Sequence, residues 1–500
     1  MSIVVSSCRR VVVRWRSHAL LIAAAALLFE LLGFAQARPE WVAKVRSWVT
    51  ANQQPIVTEL VELLSIPNVA ADRVNIRRNA EHLRGMLQKR GFTAELLETA
   101  GNPLVYGELK VPGATRTLLL YFHYDGQPVD AKRWQQPDPF VPVTRGDRIY
   151  ARSASDDKSP IVAMLSGIDA LKSAGLQPTS NVRVILDGEE EAGSPSLVPA
   201  IGRYREKLNA DLMVILDGPE HSSGRPTIAY GARGIATVDL TVFGPKTGVH
   251  SGNYGNWVPN PAQRLARLLA SMKDDEGRVL VEGFYDGVTP LTAEESAMLN
   301  AVPDDSASML RTFGIASPEA AYTALQVALQ APTLNVRGLS SAFVGDGART
   351  IIPDSATAAI DIRLVRETPG EAMIEKLRAH IRRQGYHLTD GAPDDEARAK
   401  YSRIARVTGL RETNAFRTSP ADPQARALAT ALRAAMEGEP VHLRTLGGTV
   451  PIAPFIQALG FPAVLLPTVN FDNNQHEENE NLRLSNLFEA VVKIAAILRM

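Results

Sequence analysis

The sequence predicts an α/β protein whose first domain has a mixed, largely parallel sheet and carries a smaller α+β domain inserted within it. Three apolar runs of strand length, at residues 117–122, 182–186 and 212–216, are separated by helical segments. Continuous apolar strands between helices are typical of parallel sheets covered on both faces. After about residue 229 the pattern changes to alternating apolar and polar residues, which indicates half-exposed antiparallel strands.

The first domain is predicted to begin with helices. Residues 41–64 place apolar side chains at spacings of three and four, which is the pattern of an amphipathic helix. A second helix is predicted over residues 79–90, where Gly91 is a suitable C-terminal cap, and a third over residues 161–174, which Gly175 closes. Because these segments flank the apolar strands in sequence, we expect them to cover the sheet.

The inserted domain is predicted from strands and amphipathic helices that follow residue 229. Residues 235–243 and 357–364 alternate apolar and polar side chains, as half-exposed strands do. Residues 261–272 and 371–383 have the apolar spacing of helices. Such a mixture of strands and helices predicts a small α+β domain.

The segment at residues 275–330 is expected to enlarge the inserted domain through helical patches, one of them at 318–329. A helix over residues 420–436 and a strand over 463–466 then return the chain to the first domain. The predicted boundaries are 1–37 for a leader, 38–228 for the first part of the catalytic domain, 229–412 for the inserted domain and 413–500 for the second part of the catalytic domain.

The N-terminus is typical of a secretory signal peptide. Four arginines between positions 9 and 16 precede an apolar run at residues 19–32, and Ala35 and Ala37 form a small-x-small cleavage pattern. The alternative is a permanent membrane anchor, although the run is short for a span and Glu30 interrupts it. The sequence therefore predicts an exported protein, periplasmic or secreted, that keeps no stable membrane anchor after cleavage.

Composition and charge narrow the classes of function. Hydrophobic residues make up 45% of the chain and charged residues 22%, which is ordinary for a globular protein. Lys plus Arg and Asp plus Glu both number 54, so there is no basic field and no nucleic-acid partner is predicted. The one cysteine, Cys8, lies in the predicted leader, so a metal site in the mature chain would use histidines and carboxylates.

The first candidate motif is His123-x-Asp125, directly after the strand at residues 117–122. Side chains at positions i and i+2 of an extended chain point the same way. A carboxylate at that spacing can accept the second ring N–H of a metal-bound imidazole and fix its tautomer. The alternative is a polar strand end with no functional role.

Acidic residues follow the predicted strands at several further points. Asp156 and Asp157 precede a helix, where carboxylates also complement the helix dipole without any further function. Glu189, Glu190 and Glu191 follow the buried strand at residues 182–186, and three adjacent carboxylates at the mouth of a sheet need a counter-ion. One of two neighbouring glutamates could ligate a metal ion while the other holds a proton of water.

The combination of motifs is more specific than any one of them. Asp217 follows the strand at residues 212–216, and His476 lies near the end of the chain. Functional groups collect past the carboxyl ends of parallel strands. With His123, Asp156 and one glutamate of the acidic run, these residues offer five nitrogen and oxygen ligands. Such a set suits two divalent ions that share one bridging carboxylate.

In this order and spacing, the motifs resemble the dinuclear zinc metallopeptidases related to carboxypeptidase G, carnosinase-type dipeptidases and aminoacylase. The resemblance covers nearly all of the chain after the leader. It implies a zinc-exopeptidase-like catalytic domain with an inserted ferredoxin-like α+β domain that serves as a lid and dimerisation domain. The motifs that carry it are His123-Tyr124-Asp125, Ser155-Asp156-Asp157-Lys158, Glu190-Glu191-Ala192-Gly193-Ser194, Leu216-Asp217, Gly248-Val249-His250-Ser251-Gly252 and His476-Glu477-Glu478-Asn479-Glu480.

The resemblance implies a ligand set for two zinc ions per chain, which cobalt or manganese could replace. His123 and Asp217 would bind one ion, and Glu191 and His476 would bind the other. Asp156 would bridge the two ions.

The same resemblance implies three catalytic roles. Asp125 would orient the first histidine ligand, and Glu190 would be the general base. His250 would stabilise the oxyanion, in many relatives by reaching into the site of a partner chain, which implies a homodimer through the inserted domain. The extra acid Glu189 leaves a second register open, in which Glu189 and Glu190 take the roles of base and ligand.

Three further residues are expected to bind substrate. Arg363 matches an arginine that grips the substrate carboxylate in the dipeptidase branch, although an exposed strand arginine is the alternative. Gly448 and Thr449 lie in a glycine-rich segment that resembles a substrate loop. We therefore predict a metal-dependent exopeptidase, either a carboxypeptidase or a dipeptidase, with an N-acyl amino-acid amidohydrolase as the alternative. An exported binding protein of the same fold that has lost catalysis is the competing class.

Overall fold

The computed structural model describes residues 38–500. The predicted signal peptide at residues 1–37 lies outside the described residues. Within residues 38–500, no helix is both long enough and apolar enough to cross a membrane.

Helices occur along the whole described chain. In chain order the helices are α1 (Glu40–Ala51), α2 (Gln53–Leu64), α3 (Arg73–Lys89), α4 (Lys158–Ser173), α5 (Leu197–Leu208), α6 (Ser251–Tyr254), α7 (Pro261–Ala270), α8 (Ala293–Asn300), α9 (Ser306–Phe313), α10 (Leu325–Ala328), α11 (Gly370–Arg383), α12 (Asp395–Lys400), α13 (Pro423–Ala435), α14 (Ala453–Leu459) and α15 (Leu484–Leu498).

The strands belong to two main sheets and three small ones. In chain order the strands are β1 (Thr93–Leu97), β2 (Leu104–Leu109), β3 (Thr117–His123), β4 (Val143–Arg145), β5 (Arg148–Tyr150), β6 (Asn181–Asp187), β7 (Leu212–Ile215), β8 (Thr227–Ala229), β9 (Gly231–Ala232), β10 (Gly234–Phe243), β11 (Val249–His250), β12 (Thr333–Ser340), β13 (Ile351–Ile352), β14 (Ser355–Leu364), β15 (His387–Leu388), β16 (Ile404–Thr413), β17 (Phe416–Arg417), β18 (Val441–Leu443), β19 (Ala463–Leu465) and β20 (Asn481–Arg483).

The larger sheet has eight strands in the order β1-β2-β6-β3-β7-β19-β8-β18. Its centre, from β6 through β3 and β7 to β19, is parallel. The strands β1 and β2 are antiparallel at one edge, and β8 runs antiparallel to β19 near the other. The mixed, largely parallel sheet predicted from the sequence is confirmed.

The continuous apolar strands arise because both faces of this sheet are covered. In β3, Leu118 and Leu120 pack into one buried cluster with helices α1 to α4, α13 and α15. Leu119 and Tyr121 point the other way, into a cluster with α5 and α14. Side chains that alternate between two buried faces must all be apolar, so the sequence shows no alternation there.

The second main sheet has five strands in the order β12-β14-β10-β16-β15. Antiparallel pairing joins β12, β14, β10 and β16, and β15 pairs parallel at the edge. One face packs on α7 and α11 through apolar side chains of β10 and β14. This is the α+β architecture expected for the inserted segment.

Two of the predicted helices differ from those observed. Residues 41–64 form two helices separated at Asn52, whose side chain donates a hydrogen bond to the carbonyl of Trp48. Apolar spacing cannot reveal this break, because the same face stays buried on both sides of it. Of the helix predicted over residues 318–329, only α10 forms, since most of the preceding residues are exposed and have no core to cover.

Candidate metal centre

The candidate site lies at the carboxyl ends of three neighbouring strands of the larger sheet. β3 ends at His123, which is opposite Asp187 at the end of β6. On the other side of β3, Asp217 follows β7 by two residues. Beyond β6, Glu190 begins a short 3₁₀ turn. Parallel strands bring residues that are distant in sequence to one edge of the sheet, as expected from their positions.

Two groups of potential ligands share one aspartate. His123, Asp156 and Asp217 form the first group, and Asp156, Glu191 and His476 form the second, with the ligand atoms of each group within 4.8 Å of one another. The Asp156 carboxylate faces both histidines. Its Oδ1 lies 2.8 Å from Nε2 of His123, and its Oδ2 lies 3.1 Å from Nε2 of His476. The five predicted ligands are therefore brought together.

The chemistry of these side chains fits divalent cations. Oδ1 of Asp217 is buried and makes no hydrogen bond within residues 38–500. An unpaired buried carboxylate oxygen is costly unless a cation or donor satisfies it. Imidazole nitrogens mixed with carboxylate oxygens are ligands that zinc accepts. The residues present thus fit two divalent ions that share Asp156.

The pKa values of the side chains show how strongly the site favours added positive charge. Burial, followed by repulsion from Asp156, raises the pKa of Glu191 to about 7 and that of Asp217 to about 6. Burial also raises the pKa of Glu190 well above its ordinary value. The contact with Asp156 raises the pKa of His476 to about 9. All four shifts favour bound protons, which a cation would replace.

Asp125 contacts both His123 and the 3₁₀ turn that begins at Glu190. Its carbonyl oxygen and Oδ1 lie 3.2 and 3.4 Å from Nδ1 of His123. Its two carboxylate oxygens also accept hydrogen bonds from the backbone N–H groups of Glu190 and Glu191, each at 3.0 Å. One fully buried carboxylate therefore fixes a histidine ring and the two glutamates beside it.

The three consecutive glutamates point to different places. Glu189 turns away from the ligands, and its Oε1 accepts a hydrogen bond from the backbone N–H of Asn102 at 2.8 Å. Glu190 lines a cavity beside Asp156, and the side chain of Glu191 is 4% exposed in the second ligand group. Of the two registers left open by the sequence, this arrangement favours the one in which Glu191 is the ligand.

Sequence reasoning missed the role of Glu480. Its fully buried carboxylate accepts five hydrogen bonds within 3.0 Å, and every donor belongs to the loop that carries Asp156. These donors are Nη1 of Arg152, the backbone N–H groups of Ser153, Ser155 and Asp156, and the hydroxyl of Ser155. Glu480 stands four residues after the second histidine ligand, so it ties together the loops that carry both. From the sequence only its place in a motif was evident, with no sign of these partners.

His250 lies apart from the ligands in this chain. It is exposed on β11, where Nδ1 accepts a hydrogen bond from the backbone N–H of Gly252 and Nε2 lies 3.2 Å from the hydroxyl of Thr350. Among residues 38–500, its hydrogen bonds reach none of the five ligands. The predicted catalytic role of His250 therefore needs a second chain or a movement of the inserted domain.

Two of the predicted substrate residues line the same cavity as the ligands, and the third contacts one of them. Gly448 and Thr449 line the same cavity as Asp156, and Nη1 of Arg363 donates a hydrogen bond to the hydroxyl of Thr449 at 2.8 Å. Arg363 is thus held by the glycine-rich loop. Arg363 is half-buried where the alternative was an exposed strand arginine, and its role in substrate binding stays a prediction.

A buried carboxylate beside two ligand groups that share an aspartate defines a metal-dependent hydrolase. The sequence matches peptidase family M20/M25/M40 over residues 119–500, and the chain belongs to this family. It is a metallopeptidase, and the predicted metal-dependent exopeptidase activity is supported. The predicted enzyme class is confirmed, and the competing class of a non-catalytic binding protein is not supported.

Relatives with curated descriptions match the chain almost end to end. The Cys-Gly metallodipeptidase dug1 of Schizosaccharomyces pombe is 26% identical over 468 residues, which are 90% of this chain and 96% of the relative. The Beta-Ala-His dipeptidase of Homo sapiens is 28% identical over 474 residues, which are 93% of this chain and 89% of the relative.

Solved structures show the same architecture. An M20 family metallo-carboxypeptidase from Sulfolobus solfataricus superposes with a TM-score of 0.74 at 31% identity, over 89% of this chain and 98% of that one. Human carnosine dipeptidase 1 gives a TM-score of 0.73 at 26% identity, over 92% of this chain and 98% of that one. The resemblance inferred from the motifs is confirmed.

The prediction of an exported protein, periplasmic or secreted, is wrong. Relatives that align with most of the chain, including the Cys-Gly metallodipeptidases of Schizosaccharomyces pombe and Candida albicans, are cytosolic enzymes, and no finding supports export. The prediction rested on the composition of residues 1–37, which lie outside the described residues. Arginines followed by a short apolar run satisfy a compositional pattern, and that pattern does not by itself establish export.

Proposed function

We propose that the protein hydrolyses dipeptides with a free terminal carboxylate by means of two zinc ions. The observation that carries this proposal is the shared Asp156, which His123 and Asp217 flank on one side and Glu191 and His476 on the other. Zinc accepts this mixture of imidazole and carboxylate ligands, and cobalt or manganese would fit the same atoms.

Glu190 is placed to manage protons. When bound, the two ions supply Lewis acidity that lowers the pKa of a water and polarises the scissile carbonyl. Glu190 lines the cavity next to Asp156 and Asp217, so its carboxylate can take a proton from the attacking water and deliver it to the leaving amine. Burial raises the pKa of Glu190, which favours holding the proton between these two steps.

Arg363, Gly448 and Thr449 are proposed to bind the substrate carboxylate. An arginine presents planar, charged donors that match a carboxylate, and Thr449 holds this one by a 2.8 Å hydrogen bond. An N-acyl amino acid carries the same carboxylate, so an amidohydrolase remains the second candidate. Dipeptides and N-acetyl amino acids with the same C-terminal residue would separate the two activities.

We further infer a homodimer through the inserted domain. β12 is an edge strand whose residues from Asn335 to Ser340 are exposed. Apolar side chains on and beside it are also exposed, with Leu339 at 66% and Val344 at 88%. Exposed edge strands with apolar neighbours favour pairing with another chain. In such a dimer the partner's His250 would supply the oxyanion donor.

We propose the domain boundaries that were predicted from the sequence. The two sheets support a catalytic domain made of residues 38–228 and 413–500, and an inserted domain at 229–412. Every strand of the five-stranded sheet falls between Gly234 and Thr413, which supports an inserted domain close to these bounds.

Metal content measured together with activity tests the central proposal. We expect about two zinc ions per chain, loss of dipeptide hydrolysis on chelation and recovery when metal is restored. Protein that binds no metal, or that hydrolyses dipeptides equally well after complete chelation, would contradict the proposal.

The oligomeric state in solution, compared with that of Leu339→Lys, tests the dimer, because a buried lysine in the interface would favour the monomer.

Three matched substitutions in the acidic run assign the roles of the glutamates. Glu190→Gln is expected to keep both metals and lose nearly all turnover, because an amide cannot accept the proton. Glu191→Gln is expected to lose metal, whereas Glu189→Gln should keep both metal and turnover. In the other register, Glu189→Gln would abolish turnover and Glu190→Gln would lose metal, so the two assignments give opposite results.

A further inference from the structure

The cavity beside the metal ligands has an apolar wall that the proposed function leaves unexplained. Its volume is about 370 Å³, and it runs from the ligands to Thr449. The same lining includes the apolar side chains of Leu443, Leu446, Val450 and Phe471. The aromatic side chain of Phe471 is 63% exposed.

Glu220 also lines the cavity, but its charge is already neutralised. The residue is 3% exposed, and its Oε1 accepts a hydrogen bond from the buried ammonium of Lys493 at 2.5 Å. Its Oε2 accepts a second bond from the side-chain amide of Asn486 at 3.0 Å. Both carboxylate oxygens are therefore engaged with residues of α15, and the glutamate offers no free charge to a substrate.

The polar atoms of His221 are likewise engaged outside the cavity. Its Nδ1 accepts a hydrogen bond from the backbone N–H of Ser223 at 3.1 Å. The other ring nitrogen, Nε2, can then donate to Oδ1 of Asp304 at 3.0 Å. With both nitrogens used, the ring presents only carbon edges to the cavity.

The position of the carboxylate site indicates which part of a substrate meets this wall. In a dipeptide, the terminal carboxylate and the scissile nitrogen are attached to the same Cα. With the carboxylate at Arg363 and Thr449 and the scissile bond at the metal ligands, that Cα lies between the two ends of the cavity. Val450 follows Thr449 in the chain and lines the same cavity as Leu446, so we expect the side chain on that Cα to meet this apolar wall.

We propose that the enzyme selects dipeptides whose C-terminal residue has an uncharged, apolar side chain. This inference rests on the proposed dipeptidase function and names its substrate class. Each methylene buried in an apolar pocket changes kcat/KM by roughly 10- to 200-fold. A charged side chain packed against this apolar wall gains no ion pair from it and is discriminated against more strongly, because it loses its water without compensation.

Four dipeptides that differ only in the C-terminal residue test the inference on the metal-loaded enzyme. We expect alanyl-leucine to exceed alanyl-glycine in kcat/KM by at least 10-fold, and to exceed alanyl-aspartate and alanyl-lysine by at least 100-fold. Comparable values for all four, or a preference for a charged residue, would overturn the inference while leaving the dipeptidase intact. Failure to hydrolyse any dipeptide would instead overturn the proposed function.

A substitution in the wall gives an independent test. Val450→Asp places a carboxylate in the cavity, so we expect a fall in kcat/KM for alanyl-leucine of at least 10-fold and a rise for alanyl-lysine. Val74→Asp makes the same change on a helix surface, at a side chain 74% exposed, and should alter neither value. An unchanged ratio of the two substrates in Val450→Asp protein that still binds metal would contradict the inference, and the wild-type panel decides the matter if this variant does not fold.

Discussion

Glu480→Gln is the most informative single change, because the structure allows its effect to be worked out bond by bond. Oε1 of Glu480 accepts from the backbone N–H groups of Ser155 and Asp156 and from the Ser155 hydroxyl, at 2.8 to 3.0 Å. Oε2 accepts from Arg152 and from the backbone N–H of Ser153, at 2.8 and 2.9 Å. A glutamine has one acceptor oxygen, so its amide N–H₂ must face two or three donors whichever way it turns.

Even when the amide N–H₂ faces only the two donors of Oε2, the buried guanidinium of Arg152 is left without its carboxylate partner. Arg152 is 3% exposed, and removal of one member of a buried ion pair costs about 3–5 kcal/mol. Because the loop that relaxes carries the bridging Asp156, we also expect metal affinity to fall. Changes in residues that orient metal ligands typically cost about 10- to 100-fold in affinity.

The assay combines metal affinity, from competition with a chelator, with urea unfolding of the metal-free protein. The matched control is Glu478→Gln, the same chemical change two residues away, where the glutamate pairs with the 64% exposed Arg133 at the surface. An exposed pair of this kind contributes about 0–1 kcal/mol. If Glu480→Gln unfolds and binds metal like the control, the positioning role argued from the five hydrogen bonds is refuted.

Three further results are expected. His250→Ala should keep both metals but lower kcat by about 10²–10³, as for the loss of an oxyanion donor, and assays of metal content and turnover check this. Thermal stabilisation by added metal should increase as pH rises from about 4 to 7. Burial raises the pKa of Glu191 to about 7 and that of Asp217 to about 6, so the metal-free fold binds more protons than the unfolded chain. The metal-free fold therefore loses stability as pH rises through this window. A bound ion takes the place of those protons and offsets the loss. Leu120→Ala should cost about 2–5 kcal/mol in urea unfolding, because this fully buried side chain leaves a cavity under the sheet.

Each of these expectations has a result that would contradict it. A metal-poor His250→Ala protein would make this histidine a ligand. Metal stabilisation that falls with rising pH would mean that the acidic cluster is not what binds the ion. A metal-free Leu120→Ala protein as stable as the parent would deny that this face of β3 is packed against the helices.

Local sequence patterns were enough to predict most of the elements and the direction of the ligands within them. His123 and Asp125 are two residues apart at the end of an apolar strand, so their shared direction follows from the geometry of an extended chain. Continuous apolar strands separated by helices determined the parallel sheet, and a parallel sheet places the acidic residues that follow its strands at one edge. These inferences need only local periodicity and one general rule of topology.

Tertiary structure alone decided which distant groups meet. Glu480 reaches Arg152 across 328 positions, and Asp125 reaches the backbone of Glu190 across 65. Spacing along a chain constrains side chains relative to their own strand or helix and does not constrain them relative to another loop. The neutralised Glu220 and the separation of His250 from the ligands were hidden for the same reason, because each depends on how whole elements pack.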